Sequence, residues 1–391
     1  MSNETKMEFH EIANIFPLME GTEFETLIKD IKENGLIEPI YLFEGKIIDG
    51  RNRYLACQEA GIEPRFEEYT GTAPIKFVVS KNLHRRHLNE SQRGVIASKL
   101  ANMPQGARTD LPQICGKLSQ PEASELMNVS PRTIQTVKAV EREAPELIEQ
   151  IAKGEMTAHE ALKQVKKKKR EEERAKIADE GKMVEPSEGW NIIQGDIRTV
   201  ELNKQYDFII TDPPYSKEYL DLYEVLAKRS VEWLKDDGLL VVMCGQSYVN
   251  QIYKIFDEYL TYYWTGCYLT PKQPTPLRQR QVNTTWKPIL IYAKKEGYKG
   301  KTFGDVFYSE KSDKEYHEWG QSVSGMSSIV KQMCVCGQSI LDPFCGSGST
   351  GIASLQNGCL FDGIDIDTEA VNIAKGRLAS FLSESSSEGV I

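Results

Sequence analysis

The chain has no excess of positive charge, no long apolar run and no cysteine pair spaced for a metal. Its 391 residues carry 48 Lys and Arg against 57 Asp and Glu, a net charge of -9. That balance gives no global field toward nucleic acid, so any nucleic-acid surface must be a local patch. No stretch approaches the roughly twenty apolar residues of a membrane span. Residues 1–6 lack the apolar core of a secretory signal. These absences predict a soluble, cytoplasmic protein with no membrane partner. The eight cysteines are scattered, with Cys334 and Cys336 the only close pair and His317 the nearest histidine to them. Zinc sites need wider spacing and a matching second pair, so no metal is expected and the thiols read as reduced.

What is present begins with an alternation of strand-like and helix-like segments in the C-terminal half. Residues 206–211, 239–243, 289–293, 339–342 and 361–365 read as apolar strands. Residues 220–234 and 249–259 have helical periodicity, and Asp236-Asp237-Gly238 is a stop signal for the first. This order predicts an α/β fold with a doubly wound, mostly parallel sheet, whose ligands sit beyond the carboxyl ends of the strands. Two conspicuous segments fall at such ends.

The first is Asp212-Pro213-Pro214-Tyr215. An exocyclic amine on a nucleobase is a poor nucleophile, because its lone pair is delocalised into the ring. Two acceptors aimed at its two N–H bonds favour the localised, pyramidal form and take up charge as a methyl group arrives. The Asp212 carboxylate and the Pro213 carbonyl suit that task, and the prolines stiffen the turn that carries them. Tyr215 offers a face on which a base can stack. A base reaches such a pocket only by leaving the duplex.

The second segment is Asp342-Pro343-Phe344-Cys345-Gly346-Ser347-Gly348, a strand that breaks into a glycine turn and opens a helix through Ile352 and Ala353. The glycines admit a ligand close to backbone and place N–H groups at a helix N-terminus. Asp365 ends the next strand, where a carboxylate can accept ribose hydroxyls. Gly346, Gly348 and Gly351 alone fit the dinucleotide pattern, which is weak by itself. Asp342 inside the turn would repel a pyrophosphate and welcome a sulfonium or an ammonium. No lysine follows the glycines, which excludes a phosphate loop.

In this order the segments resemble the amino-methylating DNA methyltransferases in their permuted, β-type arrangement, over residues 187–380. The resemblance rests on Gly195-Asp196, on 211–215, on 341–350, on Gly363-Ile364-Asp365-Ile366-Asp367 and on 374–378. It implies a Rossmann-like fold and transfer of a methyl group from S-adenosyl-L-methionine to adenine N6 in flipped DNA. Asp212, Pro213, Pro214 and Tyr215 would be catalytic. Asp342, Phe344, Gly346, Gly348, Asp365 and Asp196 would surround the cofactor. Members acting on cytosine N4 usually carry Ser where Asp212 stands, which favours adenine and leaves cytosine N4 as the alternative. The stretch 317–321 keeps only His317 and Gln321 of the segment that lines the methionine end. The family further implies a homodimer and a restriction-modification setting. The region after 289–293 is short for a base-reading module. The loop 271–281 offers Arg278 and Arg280 to phosphates or bases, and Tyr262, Tyr263 and Trp264 suit strand packing or base stacking.

In the N-terminal half, residues 47–56 run from a strand through a glycine turn into a helix, and 81–88 follow with further cations. Arg51, Arg53, Arg85 and Arg86 suit a phosphate-bearing ligand or internal ion pairs. Residues 7–100 resemble the ParB/sulfiredoxin-type α+β domain, which implies a bound nucleotide. Residues 122–142 read as two short helices with Val129 in the turn and Ser130-Pro131 starting the second. They resemble a helix-turn-helix with Arg132, Thr133, Gln135 and Lys138 facing a DNA groove. The expected organisation is a ParB-like domain over 7–100, a helical region over 101–162, a charged solvated linker over 163–186 and the methyltransferase over 187–384. A DNA-binding regulator with an inactive methylase half, or a ParB-like nuclease, are the readings from other classes.

Overall fold

The computed structural model describes residues 7–83, 88–102, 118–269, 275–295, 297–310 and 322–387. The chain divides into two compact units, Met1–Lys169 and Arg170–Ile391.

In the first unit, β1 (Ile40–Phe43) and β2 (Lys46–Asp49) form an antiparallel hairpin, and β3 (Phe66–Glu68) pairs parallel to β1. Glu44 and Gly45 in the turn both have positive φ, 52° and 73°. That geometry matches the twist of the flanking strands. Ile12, Ile15, Phe16, Ile48, Val78 and Val79 share a buried cluster with Ala123, Met127 and Ile134 of the following helices.

The two-helix element expected over 122–142 forms. Its first helix, Gln120–Met127, starts with a capping box between Ser119 and Glu122 and stops at Asn128, whose φ of 48° is left-handed. Its second, Pro131–Glu143, is capped by the Ser130 side chain and has proline at its start. Arg132 and Gln135 are exposed and Lys138 is half-buried. Thr133 departs from the expected face. Its hydroxyl donates to Glu90 Oε1 at 2.7 Å, and its methyl lies against Gly94.

The charged stretch expected as a solvated linker is part of one helix, Ala158–Lys182. Residues 166–173 are exposed, as expected. From Arg174 onward the helix packs on helix Thr368–Ser387, which corrects that half of the linker reading. The contact is a backbone crossing at two glycines. A Cβ on Gly181 would stand 1.8 Å from the Asn372 carbonyl oxygen, and one on Gly376 would stand 2.6 Å from that of Ile177. Gly181→Ala is therefore expected to destabilise the second unit by about 2 kcal/mol through overpacking. Chemical denaturation of parent and variant measures it, and an unchanged unfolding midpoint would contradict the crossing.

Among its described residues the second unit has ten strands: β4 (Trp190–Gln194), β5 (Tyr206–Thr211), β6 (Leu234–Met243), β7 (Thr261–Leu269), β8 (Thr275–Leu277), β9 (Val282–Thr284), β10 (Trp286–Ala293), β11 (Val306–Tyr308), β12 (Ser339–Asp342) and β13 (Leu360–Asp365). Eight of them form one sheet in the order β11-β7-β10-β6-β5-β12-β13-β4, and β8 with β9 makes a small hairpin. Within the large sheet only β10 runs antiparallel to its neighbours. Side chains alternate between two cores, with Phe208, Ile210, Leu239 and Val241 on one face and Ile209, Leu240 and Val242 on the other. Helices cover both faces, which is the doubly wound arrangement expected.

Two details differ from the expectation. β4, β7, β8, β9 and β11 are additional strands. β6 begins at Leu234, so Asp236-Asp237-Gly238 lies inside a strand rather than in a loop. In keeping with the strand-packing reading, Tyr262, Tyr263 and Trp264 fall in β7, where Tyr262 meets the rings of Tyr253 and Tyr292, and Tyr263 those of Tyr298 and Phe303. From β5 the chain winds outward through β6, whereas β12 and β13 lie on the other side of β5. The β5/β12 boundary is thus the point where strand order reverses, and ligands of such sheets bind in the crevice there.

Candidate active site

β5 and β12 are parallel neighbours, with Phe208 opposite Ile340 and Ile209 opposite Leu341. Their carboxyl ends therefore lie side by side, and so do the two segments that follow them. A buried carboxylate joins them. Asp342 accepts the Thr211 hydroxyl on Oδ1 at 2.7 Å, the Thr350 hydroxyl on Oδ2 at 2.6 Å and the Phe344 N–H on Oδ1 at 3.1 Å. It is only 3 % exposed. Burial pushes its carboxyl up to about 6, against the pull of those three hydrogen bonds and with a further push from the negative charge of Asp212. Asp342 was expected to face a cationic ligand. Instead its oxygens are taken up by the protein's own donors.

The glycine turn has the form the sequence predicts. Gly346 and Gly348 have φ of 49° and 81°, and Gly348 is the N-cap of helix Ser349–Gln356. The two glycines serve different purposes. A Cβ on Gly348 would stand 3.1 Å from that of Ala374, so its absence lets two helices approach. A Cβ on Gly346 would meet no atom within 4 Å among the described residues, so this glycine borders open space. Its N–H donates to Asp365 Oδ2 at 2.8 Å, and Asp367 N–H donates to Oδ1 at 2.9 Å. Each carboxylate oxygen keeps a second acceptor site for a ligand hydroxyl. On the adjacent strand end, Gly195 N–H bonds the Asp365 carbonyl. Asp196 holds Arg198 through its backbone N–H at 2.8 Å and its guanidinium at 3.3 Å. Phe344 is half-buried against the core. Sequence reasoning assigned no role to Ile366, which follows Asp365 and is 67 % exposed, nor to Arg377, which is buried and donates to Ser347 O at 2.6 Å.

Around the Asp-Pro-Pro turn, Pro213 is buried, Asp212 and Tyr215 are half-buried and Pro214 is exposed. The Tyr215 hydroxyl donates to Asp212 Oδ1, so the residue expected to stack on a base is tied back onto its own turn. Burial and the Asp212 charge hold that phenol well above its ordinary range, which keeps it a neutral donor. The Lys287 ammonium, which drew no attention in the sequence, lies 3.2 Å from the Tyr215 hydroxyl and 4.9 Å from the ring centre. Tyr215 Cβ also lies against Gly245. The next residues tether the β8–β9 hairpin, through Gln246 to Thr284 Oγ1 at 3.2 Å and Arg280 to Ser247 O at 3.1 Å. Arg278 and Arg280 are exposed at the tip of that hairpin.

In the first unit, Arg53 pairs with Asp49 at 2.9 Å and with Glu38, while Arg51 donates to Asn14 at 2.7 Å and to the Phe16 carbonyl. Of the two readings for these arginines, the described contacts are the internal ones, along a cleft of about 310 Å³ that Gly50, Asn52 and Asn82 also line. Arg85, Arg86, His317 and Gln321 lie outside the described residues. Among the described residues no group of three or more His, Cys, Asp or Glu is placed to hold a metal, and no helix is long and apolar enough to cross a membrane.

Comparison with known proteins follows the same geometry. The family model described as DNA methylase, of N6/N4 type, matches residues 206–376. YubD of Escherichia coli (strain K12), which carries a methylase description, is 26 % identical over 44 % of this chain and 82 % of its own. The type II methyltransferase M.HpaI of Haemophilus parainfluenzae is 24 % identical over 44 % of this chain and 68 % of its own. The solved structure of M1.HpyAVI is 25 % identical, covers 48 % of this chain and 98 % of its own, and has a TM-score of 0.41. That of the cytosine-N4-specific PvuII DNA methyltransferase is 14 % identical, covers 51 % and 93 %, and has a TM-score of 0.41. From Tyr206 to Gly376, where the Asp212 turn and the Gly346 turn share one strand boundary, the chain is a distant homologue of the amino-DNA methyltransferases.

Proposed function

We propose that the chain is a site-specific DNA methyltransferase that uses S-adenosyl-L-methionine and acts on adenine N6. The observation that carries this is the meeting of an Asp-Pro-Pro-Tyr turn and an open glycine turn at one switch point, joined through Asp342. The Gly346 backbone, the free acceptor sites of Asp365 and the apolar faces of Phe344 and Ile366 suit the cofactor, with Asp196 on the neighbouring strand end. When bound, the cofactor supplies an electrophilic methyl group. The chain's own residues hold the nucleophile. Asp212 and the Pro213 carbonyl receive the two N–H bonds of the target amine, and Asp212 takes up the positive charge that develops on nitrogen.

Entry of the amine displaces the Tyr215 hydroxyl from Asp212. This exchanges one neutral donor for another, so no proton has to move first. The released ring is then free to stack on the flipped base, and Lys287 stands beside it to receive the hydroxyl. Arg278 and Arg280 on their hairpin, with Arg132 and Lys138 on the capped helix of the first unit, supply the local cations that an acidic chain needs to engage DNA, and Gln135 adds a neutral hydrogen-bonding group.

The test is a nucleoside digest of unmodified DNA incubated with the full chain and S-adenosylmethionine. N6-methyladenine is expected. N4-methylcytosine alone would replace the adenine assignment and leave the methyl-transfer reading standing.

A further inference from the structure

The pairing between β5 and β12 stops at Ile209 and Leu341, one residue short of the Asp342 turn and two short of Thr211. Beyond that point the backbone ladder no longer sets how the catalytic turn sits against the cofactor turn. The next link is made of side chains. Thr211 immediately precedes Asp212, and Thr350 lies in the first turn of the helix that the glycines open. Their hydroxyls reach opposite oxygens of Asp342, at 2.7 Å and 2.6 Å. Thr211 is 0 % exposed and Thr350 is 4 % exposed, so water does not compete for this carboxylate. An ionised carboxylate only accepts, which fixes both hydroxyls as donors.

We propose that Thr211 and Thr350 are positioning residues that clamp Asp342 from both sides and so set the placement of the Asp212 turn against the Gly346 turn before either ligand arrives. The proposal deepens the methyl-transfer reading and rests on it. Catalytic rates are sensitive to misplacement by a fraction of an ångström, so a preset clamp serves an in-line transfer between two loops. Valine has the shape of threonine without its hydroxyl: at 350 it would leave Asp342 Oδ2 without that donor in a dry site, and at 211 it would leave Oδ1 with the Phe344 N–H alone. Serine keeps the hydroxyl.

The experiment compares Thr211→Val, Thr211→Ser, Thr350→Val and Thr350→Ser in the full chain. Thr211→Val is expected to lower kcat by about 10- to 100-fold with little change in S-adenosylmethionine affinity, because it frees the catalytic side of the clamp. Thr350→Val is expected to weaken that affinity by about 10-fold, because it frees the cofactor side. Both serine variants should stay within about 3-fold of the parent.

A second readout needs no ligand. The Asp342 carboxyl sits higher in the fold than the ordinary 3.8, so stability falls as pH rises from there to about 6. Losing a hydroxyl donor raises the group further, so in each valine variant that fall should extend to higher pH, and in the serine variants it should not. The titratable groups around Asp342 are Asp212 beyond β5, Cys345 in the turn and, beside Cys345, Asp365 beyond β13. Double variants with Asp212→Asn separate the nearest of them. Valine variants with parental kinetics and an unmoved pH profile would overturn the clamp, and so would serine variants as impaired as the valine ones. A parent chain that takes up no S-adenosylmethionine would end the methyl-transfer reading alone, because the unliganded pH series still reports on the clamp.

Discussion

Asp212→Ala is expected to lower the rate of methyl transfer by about a thousandfold while S-adenosylmethionine affinity stays within about threefold. The asymmetry follows from where the groups sit. Gly346 N–H, Asp365 and the helix N-terminus at Gly348 form contacts of their own, none of which runs through Asp212. Asp212 instead provides the acceptor that localises the amine lone pair and the charge that offsets the developing cation. Removing one preorganised polar group of this kind typically costs two to three orders of magnitude, and a charged one in a half-buried site lies at the upper end. Asp212→Asn keeps an acceptor oxygen without the charge, so its loss should be smaller, about tenfold to a hundredfold. Single-turnover transfer of labelled methyl groups to DNA, with calorimetry for the cofactor, separates the two quantities. A parental rate in Asp212→Ala would remove the turn from the mechanism.

Legibility in the sequence tracked how local the determining physics was. The five runs over 206–211, 239–243, 289–293, 339–342 and 361–365 all proved to be strands, because each sends buried apolar residues into both cores. The glycine turn was legible because only glycine adopts φ of 49° and 81° cheaply. The helix start at Ser130 carries its cap in the sequence itself, whereas the capping box at Ser119 went unread. Partners distant in sequence were not legible. Asp342 looks like a ligand group until Thr211, 131 residues away, is found to donate to it. Lys287 is an ordinary strand-end lysine until Tyr215, 72 residues away, is seen beneath it. Arg53 reads equally as a phosphate contact or an ion-pair partner until Glu38 and Asp49 are placed around it. The helix over 158–182 reads as solvated because its charges dominate the pattern. Gly181 docks it through a contact with backbone, for which no side-chain periodicity exists.

Gly346→Val should abolish S-adenosylmethionine binding at ordinary concentrations, weakening it by about a hundredfold or more, while the fold loses only about 1–2 kcal/mol. The stability cost comes from a β-branched side chain at φ 49°, since an added Cβ meets no atom within 4 Å among the described residues. The binding cost comes from the same fact seen from outside: the space beside Gly346 is open for a ligand to lie against backbone, and valine fills it. Gly348→Val provides the contrast. Its Cβ would press on Ala374 at 3.1 Å and its φ is 81°, so it should lose stability first and binding only as a consequence. Thermal unfolding and calorimetry on both variants give a crossed pattern if the cofactor lies at Gly346, with Gly346→Val stable and empty and Gly348→Val unstable. Equal affinity in the parent and Gly346→Val would place the cofactor elsewhere. The crossed pattern cannot arise from a general weakening of the turn, because both glycines lie within two residues of each other and only one of them borders open space.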